Sequence, residues 1–142
     1  MNRNACFTHP GLNEIRALLQ RVKTIAVVGL SAAPGRPSYN VAQALQGFGY
    51  RILPVNPMLT EALGEKVYPC LRDLPEPVDL VNVFRASRHV AGLVDDCIAL
   101  KLPALWLQDG VIDEAAALKA RAAGLTVVMD RCIYRDYLQL IQ

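Results

Sequence analysis

Gly29, Ser31, Arg36 and Ser38 fall in one short stretch, Ile25 to Ser38, which reads IAVVGLSAAPGRPS. An apolar run, Ile25-Ala26-Val27-Val28, leads into Gly29. A loop of small residues with one arginine follows, and Ser38 stands where an amphipathic pattern begins. A buried strand, a glycine turn, a pliable loop and a helix N-terminus together make a seat for an anion, most often a nucleotide phosphate. Arg36 offers a two-pronged donor to such a phosphate, and the free N–H groups of the helix start add to it. The loop spells G-L-S-A-A-P-G and not G-x-G-x-x-G, so a plain strand-to-helix turn is the competing reading.

Further polar residues follow apolar, strand-length runs along the chain: Asn56 and Pro57, then Arg85, then Gln108, Asp109 and Gly110, then Asp130, Arg131 and Cys132. Leu30 belongs with the first loop. A polar ring on an apolar sheet is where a ligand site is expected. A dinucleotide site wants Asp or Glu after the second strand for the ribose hydroxyls, or Arg for a 2′-phosphate. Asn56-Pro57 stands there, which counts against NAD. Arg85 reads as a second phosphate ligand, as a solvated cation at a strand end, or as a partner for Asp109. Gln108 reads as a ligand contact or a turn cap, and Trp106 as core. Cys132 lies at the start of the last helix, where Arg131 and the helix N-terminus would lower its pKa. Neither His9 nor His89 makes a triad with Ser31 or Cys132, and no carboxylate pair is indicated. The residues spell no catalytic machine.

The elements that must position these residues follow from hydrophobic spacing. Residues 12–22 carry apolar side chains at helical intervals, with Asn13 as a candidate N-cap. Strand one is 24–28. Ser38 caps a helix with Val41, Ala44, Leu45 and Phe48 on its inner face, closed by Gly49. Strand two is 51–55, and its Pro54 fits only near an end or an edge because proline cannot donate to the ladder. Residues 60–77 form a connection with one or two helical turns. Strand three is 79–84. Ser87 starts a helix facing inward through Val90, Leu93, Val94, Cys97 and Ile98. Strand four is 104–107. Asp113 caps an Ala-rich helix closed by Gly124, strand five is 126–129, and a last helix carries Ile133, Tyr137, Leu140 and Ile141. Strands alternating with helices predict an α/β fold: a Rossmann-like doubly wound three-layer sandwich, with a five-stranded parallel sheet in the order 3-2-1-4-5 and helices on both faces.

A chain of 142 residues with a net charge of +2 is expected to form a single domain, 1–142, with 1–11 as a flexible tail. No basic stripe points to nucleic acid. No apolar run approaches the ~20 residues of a membrane helix, and MNRNACFTHPG is no secretory signal, so a cytoplasmic protein is expected. The four cysteines, Cys6, Cys70, Cys97 and Cys132, are scattered, which predicts reduced thiols and no zinc site.

Four blocks in order, VVGLSAAPGRPSYNVAQALQGFGYRILPVNP, GEKVYPCLRDLPEPVDLVNVFR, LWLQDGV and AGLTVVMDRCI, give the chain its resemblance to a known family. It resembles the small stand-alone CoA-binding-domain proteins, themselves similar to the N-terminal CoA-binding domain of the succinyl-CoA synthetase alpha subunit. The resemblance implies a Rossmann-like fold whose ligand is coenzyme A or an acyl-CoA. It places the CoA phosphates on Gly29–Ser38 and the rest of the groove at Asn56-Pro57, Arg85 and Gln108–Gly110. Cys132 matches a cysteine position in the closing motif. The synthetase's further domain, with its phosphorylated histidine, has no counterpart before Gln142, so binding without ligase activity is expected. The alternatives are an NAD(P)-dependent oxidoreductase or redox sensor, and an interaction protein with a vestigial groove. A homodimer through the Ala-rich helix and a mixed disulfide between Cys132 and CoA are further expectations.

Overall fold

Five parallel strands end on one edge in the computed structural model, which describes residues 7–141. The elements are α1 (Leu12–Arg21), β1 (Thr24–Val28), α2 (Pro37–Gly47), β2 (Arg51–Val55), β3 (Glu61–Ala62), β4 (Glu65–Lys66), β5 (Leu80–Val83), α3 (Val90–Ala99), β6 (Ala104–Leu107), α4 (Glu114–Ala122), β7 (Thr126–Val128) and α5 (Ile133–Leu140). The sheet runs β2-β1-β5-β6-β7, and every pairing in it is parallel. One face packs on α3 and α4 through Val81, Val83, Leu105 and Leu107. The other packs on α1, α2 and α5 through Ile25, Val27, Leu80 and Trp106. The Rossmann-like three-layer sandwich is therefore present, and the strand order differs from the expected one.

Counted along the chain, the five sheet strands run 2-1-3-4-5, not 3-2-1-4-5. Pro54 explains the difference. The expected order buries β2 between two neighbours, where a residue without an N–H leaves a gap in the ladder. At the edge the gap costs nothing, and Pro54 needs only to accept: its carbonyl takes a bond from the Tyr68 N–H at 3.0 Å. β5 takes the central place, where all four of its residues are buried. Asp79 fixes that choice, since its carboxylate accepts from the N–H groups of Lys23 and Thr24 at 2.9 and 3.1 Å and ties the start of β5 to the start of β1. The order now reverses between β1 and β5, so the crevice lies beyond Val28 and Val83.

Local starts and stops also differ in places. Gly11, not Asn13, is the N-cap of α1. Arg36 is the N-cap of α2 with Pro37 next, a position where a fixed φ and a missing N–H do no harm. Ser38 is released from capping and serves the loop instead. A 3-10 turn, Ser87–His89, precedes α3. The 60–77 connection holds one 3-10 turn, Leu71–Asp73, and also the unexpected hairpin β3–β4, whose turn places Leu63 and Gly64 at φ +54° and +76°. Asp113 does cap α4, accepting from the Ala116 N–H at 3.0 Å. Of the expected tail, Phe7 is buried and lies 4.2 Å beneath the Arg121 guanidinium, which also donates to the Thr8 carbonyl. Cys6 lies outside the described residues. Among the described residues no helix is long and apolar enough to cross a membrane, and no group of His, Cys, Asp and Glu could hold a metal ion.

Candidate functional site

The first half of the edge is built around Gly29. Its φ is +86°, and its N–H donates to the Val55 carbonyl at 2.9 Å, joining the β1 turn to β2. A Cβ here would meet Cδ of Arg85 at 3.0 Å and the Phe84 carbonyl carbon at 3.3 Å. The turn thus needs glycine twice, for its backbone angle and for the arginine stem lying across it. Leu30 is fully buried and anchors the loop. Three side chains then pin the loop's backbone: Ser38 Oγ accepts from the Ser31 N–H at 2.9 Å, Ser31 Oγ from Ala33 at 3.1 Å, and Asn40 Oδ1 from Gly35 at 3.2 Å. Pro37, first in α2, has no N–H, and the Ser38 and Tyr39 N–H groups that follow have no acceptor within the helix. Arg36 is exposed, and no salt bridge holds it among the described residues.

Asn56 is a staple between two loops. Its Nδ2 donates to the Leu30 carbonyl at 3.0 Å and its Oδ1 accepts from the Met58 N–H at 2.8 Å, with Pro57 exposed between them. Arg85 leaves β5 half-buried, and its terminal nitrogen lies 3.0 Å from Nε2 of His89. Partial burial first, then the charges of Arg85 and Arg88, hold the His89 pKa below its ordinary value.

In the other half, beyond β6 and β7, the charged side chains are paired with one another. Gln108 lies beneath the rim, 5% exposed, where its Oε1 accepts from Asn82 Nδ2 at 3.1 Å and from the Ile133 N–H at 3.0 Å. Gly110 donates to Asp130 at 2.7 Å. Asp109 pairs with Arg135 at 2.8 Å, not with Arg85. Arg131 forks onto the buried Asp136 at 2.7 and 2.8 Å, and that hydrogen-bonded carboxylate raises the arginine's pKa. Its guanidinium is therefore paired with Asp136. Cys132 is half-buried at the N-cap of α5, and its side chain makes no capping bond. Trp106 is core, donating to the Arg131 carbonyl at 2.9 Å.

The structure thus brings Gly29, Leu30, Ser31, Arg36, Ser38, Asn56, Pro57 and Arg85 together, ties Gly110 to the turn after β5 through Ser87 Oγ, which donates to its carbonyl at 3.4 Å, and leaves Gln108 and Cys132 on the neighbouring half. Sequence reasoning passes over Asn40 and Asn82, and it reads His89 only as a candidate base for a nucleophile. Asn82 alone interrupts the apolar run LVNV, and its buried Oδ1 has no partner. His89 sits four residues after Arg85, a helical neighbour's spacing. A groove of about 620 Å³ at the opposite, amino end of the strands is lined by Tyr50 and the stacked pair Phe48–Tyr137. It holds none of the candidate residues, and in doubly wound folds the ligand lies beyond the carboxyl ends of the strands.

A family model described as a CoA binding domain matches residues 23–137. A Bacillus subtilis protein, the uncharacterized YneT, is 44% identical over 125 residues, covering 88% of this chain and 93% of that one. An ADP-forming acetate–CoA ligase of Archaeoglobus fulgidus is 34% identical over 77 residues, which are 53% of this chain and 11% of that enzyme. The solved structure of a hypothetical protein from Pyrococcus horikoshii superimposes with a TM-score of 0.92 at 32% identity, covering 100% of both chains.

Proposed function

The chain belongs to the CoA-binding domain family, and on that premise we propose that it binds coenzyme A or an acyl-CoA in the crevice beyond β1 and β5, its own residues supplying no bond-making chemistry. One observation carries the reading. Arg36 and Arg85 flank a pinned glycine turn at a helix N-terminus, and neither forms a salt bridge among the described residues. CoA brings a diphosphate and a further phosphate, charges that suit two uncompensated guanidinium groups and an N-terminal helix turn. The end of β2 supports CoA over NAD(P). Asn56 spends its side chain on Leu30 and Met58 and offers no carboxylate to a ribose. The ligase relative shares a stretch that is only 11% of its length, so the ligase reaction is not carried over.

Titration calorimetry and thermal shift with CoA, acetyl-CoA, NAD and NADP test this. CoA or acetyl-CoA should raise the melting temperature, since ligand at about a hundred times its Kd adds ~2.7 kcal/mol. Arg36→Ala should weaken CoA binding by about 1–3 kcal/mol, the worth of a charged hydrogen bond. No heat with either CoA species, or preferential stabilisation by NAD or NADP, overturns the reading.

A further inference from the structure

Arg85 and Arg131 both stand just past a strand, and they differ in what they lean on. Arg131 leans on a carboxylate, Asp136, which cancels its charge. Arg85 leans on the imidazole of His89 at 3.0 Å. A guanidinium has donors only, so Nε2 of His89 must be the acceptor and the ring must be neutral, with its proton on Nδ1. A neutral acceptor can fix an arginine's direction and leave its charge intact. We infer that His89 is a positioning residue: it holds the Arg85 guanidinium at the mouth of the crevice, its charge undiminished, for an anionic group of the ligand. The inference rests on the CoA reading above.

The geometry supports the role from both ends of the arginine. The stem is braced on Gly29, where there is no Cβ to displace it. The head is braced on His89, which belongs to the 3-10 turn before α3. That turn is itself tied down, because Ser87 Oγ accepts from the Ile112 N–H at 2.9 Å. The charged groups around His89 all oppose a proton on it or are otherwise engaged. Arg85 and Arg88 are cations beside it. From the loop after β6, Asp109 is bound to Arg135 and Asp113 caps α4. Asp130 accepts from Gly110. On α3 and α4, Asp95 pairs with Lys119 and Asp96 with Arg72. Acid therefore removes the acceptor without supplying a carboxylate to replace it, and the protonated ring would repel the guanidinium it had held.

The test is CoA affinity at pH 8 and at pH 5.5 for the unmutated protein, His89→Ala and His89→Gln. Glutamine places a neutral acceptor near the position of Nε2 and does not titrate. At pH 8, His89→Ala should bind CoA about tenfold more weakly, the order of one hydrogen bond to a charged group, and His89→Gln within about threefold of the unmutated protein. On acidification the unmutated protein should lose several-fold more affinity than His89→Gln. Protonation of the CoA phosphates is common to both and cancels in that ratio. In the unliganded protein, the ¹⁵N shift of His89 Nε2 should be that of an unprotonated nitrogen. Full affinity in His89→Ala, no rescue by glutamine, parallel pH profiles across the range in which the ¹⁵N shift shows Nε2 taking up its proton, or a proton on Nε2 at pH 8 would each overturn the role while CoA binding stands. Failure of the unmutated protein to bind CoA overturns the reading of the site and this role with it.

Discussion

Two halves of one sheet edge are made from the same kinds of residue and end in opposite electrostatic states. Beyond β2, β1 and β5, polar side chains bind backbone and leave cations over: Ser31, Ser38, Asn40 and Asn56 pin loops, while Arg36 and Arg85 keep their charge. Beyond β6 and β7, each polar group meets another polar group. Arg131 meets Asp136, Arg135 meets Asp109, and Gln108 meets Asn82 and Ile133. An arginine after a strand is thus no indication of an anion site. What decides is whether the fold also delivers a carboxylate to it. The open half reads as a place prepared for a ligand's charge and the closed half as the wall beside it.

The largest effect expected on that comparison comes from Gln108→Ala. It strips the acceptor from two buried donors, the Asn82 amide and the Ile133 N–H that starts α5. At ~1–3 kcal/mol for each stranded donor, the loss should be about 3 kcal/mol of stability, read by denaturant unfolding. CoA affinity of the folded fraction should change less than about twofold, because the residue lies beneath the rim and its replacement leaves both free cations in place. A small stability loss with a tenfold weaker CoA titration would move Gln108 into the site and break the division.

Gly29→Ala comes next and strikes the open half. The backbone angle of +86° alone costs a side chain about 1–2 kcal/mol. The new methyl also sits 3.0 Å from Cδ of Arg85, and the flexible stem is the partner that gives way. Stability and CoA affinity should therefore fall together, affinity by about tenfold if the displaced guanidinium loses one charged contact. A stability loss with unchanged affinity would detach Arg85 from the ligand and sharpen the site to the α2 N-terminus and Arg36.

These two residues also mark what the chain made legible. The alternation of strand and helix gave the sandwich, and the strand ends gave the rim residues, because both depend on local periodicity. Strand order does not. It turns on which neighbour tolerates Pro54, a signal present in RILPV but applied to β2 without its consequence for the sheet. Gly29 is legible from its place after a strand, and its contact with Arg85 is not, since that contact exists only when β5 lies beside β1. Gln108 shows the reverse error. Its type and position suit a ligand contact, yet its depth is set by Asn82 on a neighbouring strand, which no pattern within its own segment reports. The pairing of Arg131 with Asp136 was within reach, five residues apart at a helix start. His89 reads from sequence only as a base without a nucleophile, and its service to Arg85 is visible once the turn before α3 is in place.

Arg135→Ala should do the least, and that is its use. Arg135 and Asp109 are largely exposed, with side chains 62% and 49% accessible, so water already screens the pair. Exposed pairs of this kind contribute little to stability, and no measurable shift of the unfolding midpoint is expected. The informative reading is CoA affinity. Removing a cation from the closed half frees the Asp109 carboxylate but leaves Arg36 and Arg85 untouched, so affinity should hold within about twofold at physiological ionic strength. If affinity falls several-fold, Arg135 is contributing charge to the ligand in spite of its carboxylate, and the rule that a paired cation is a spent one fails on this edge. If affinity holds, the contrast between Arg85 and its paired neighbours is one of partner and not of place.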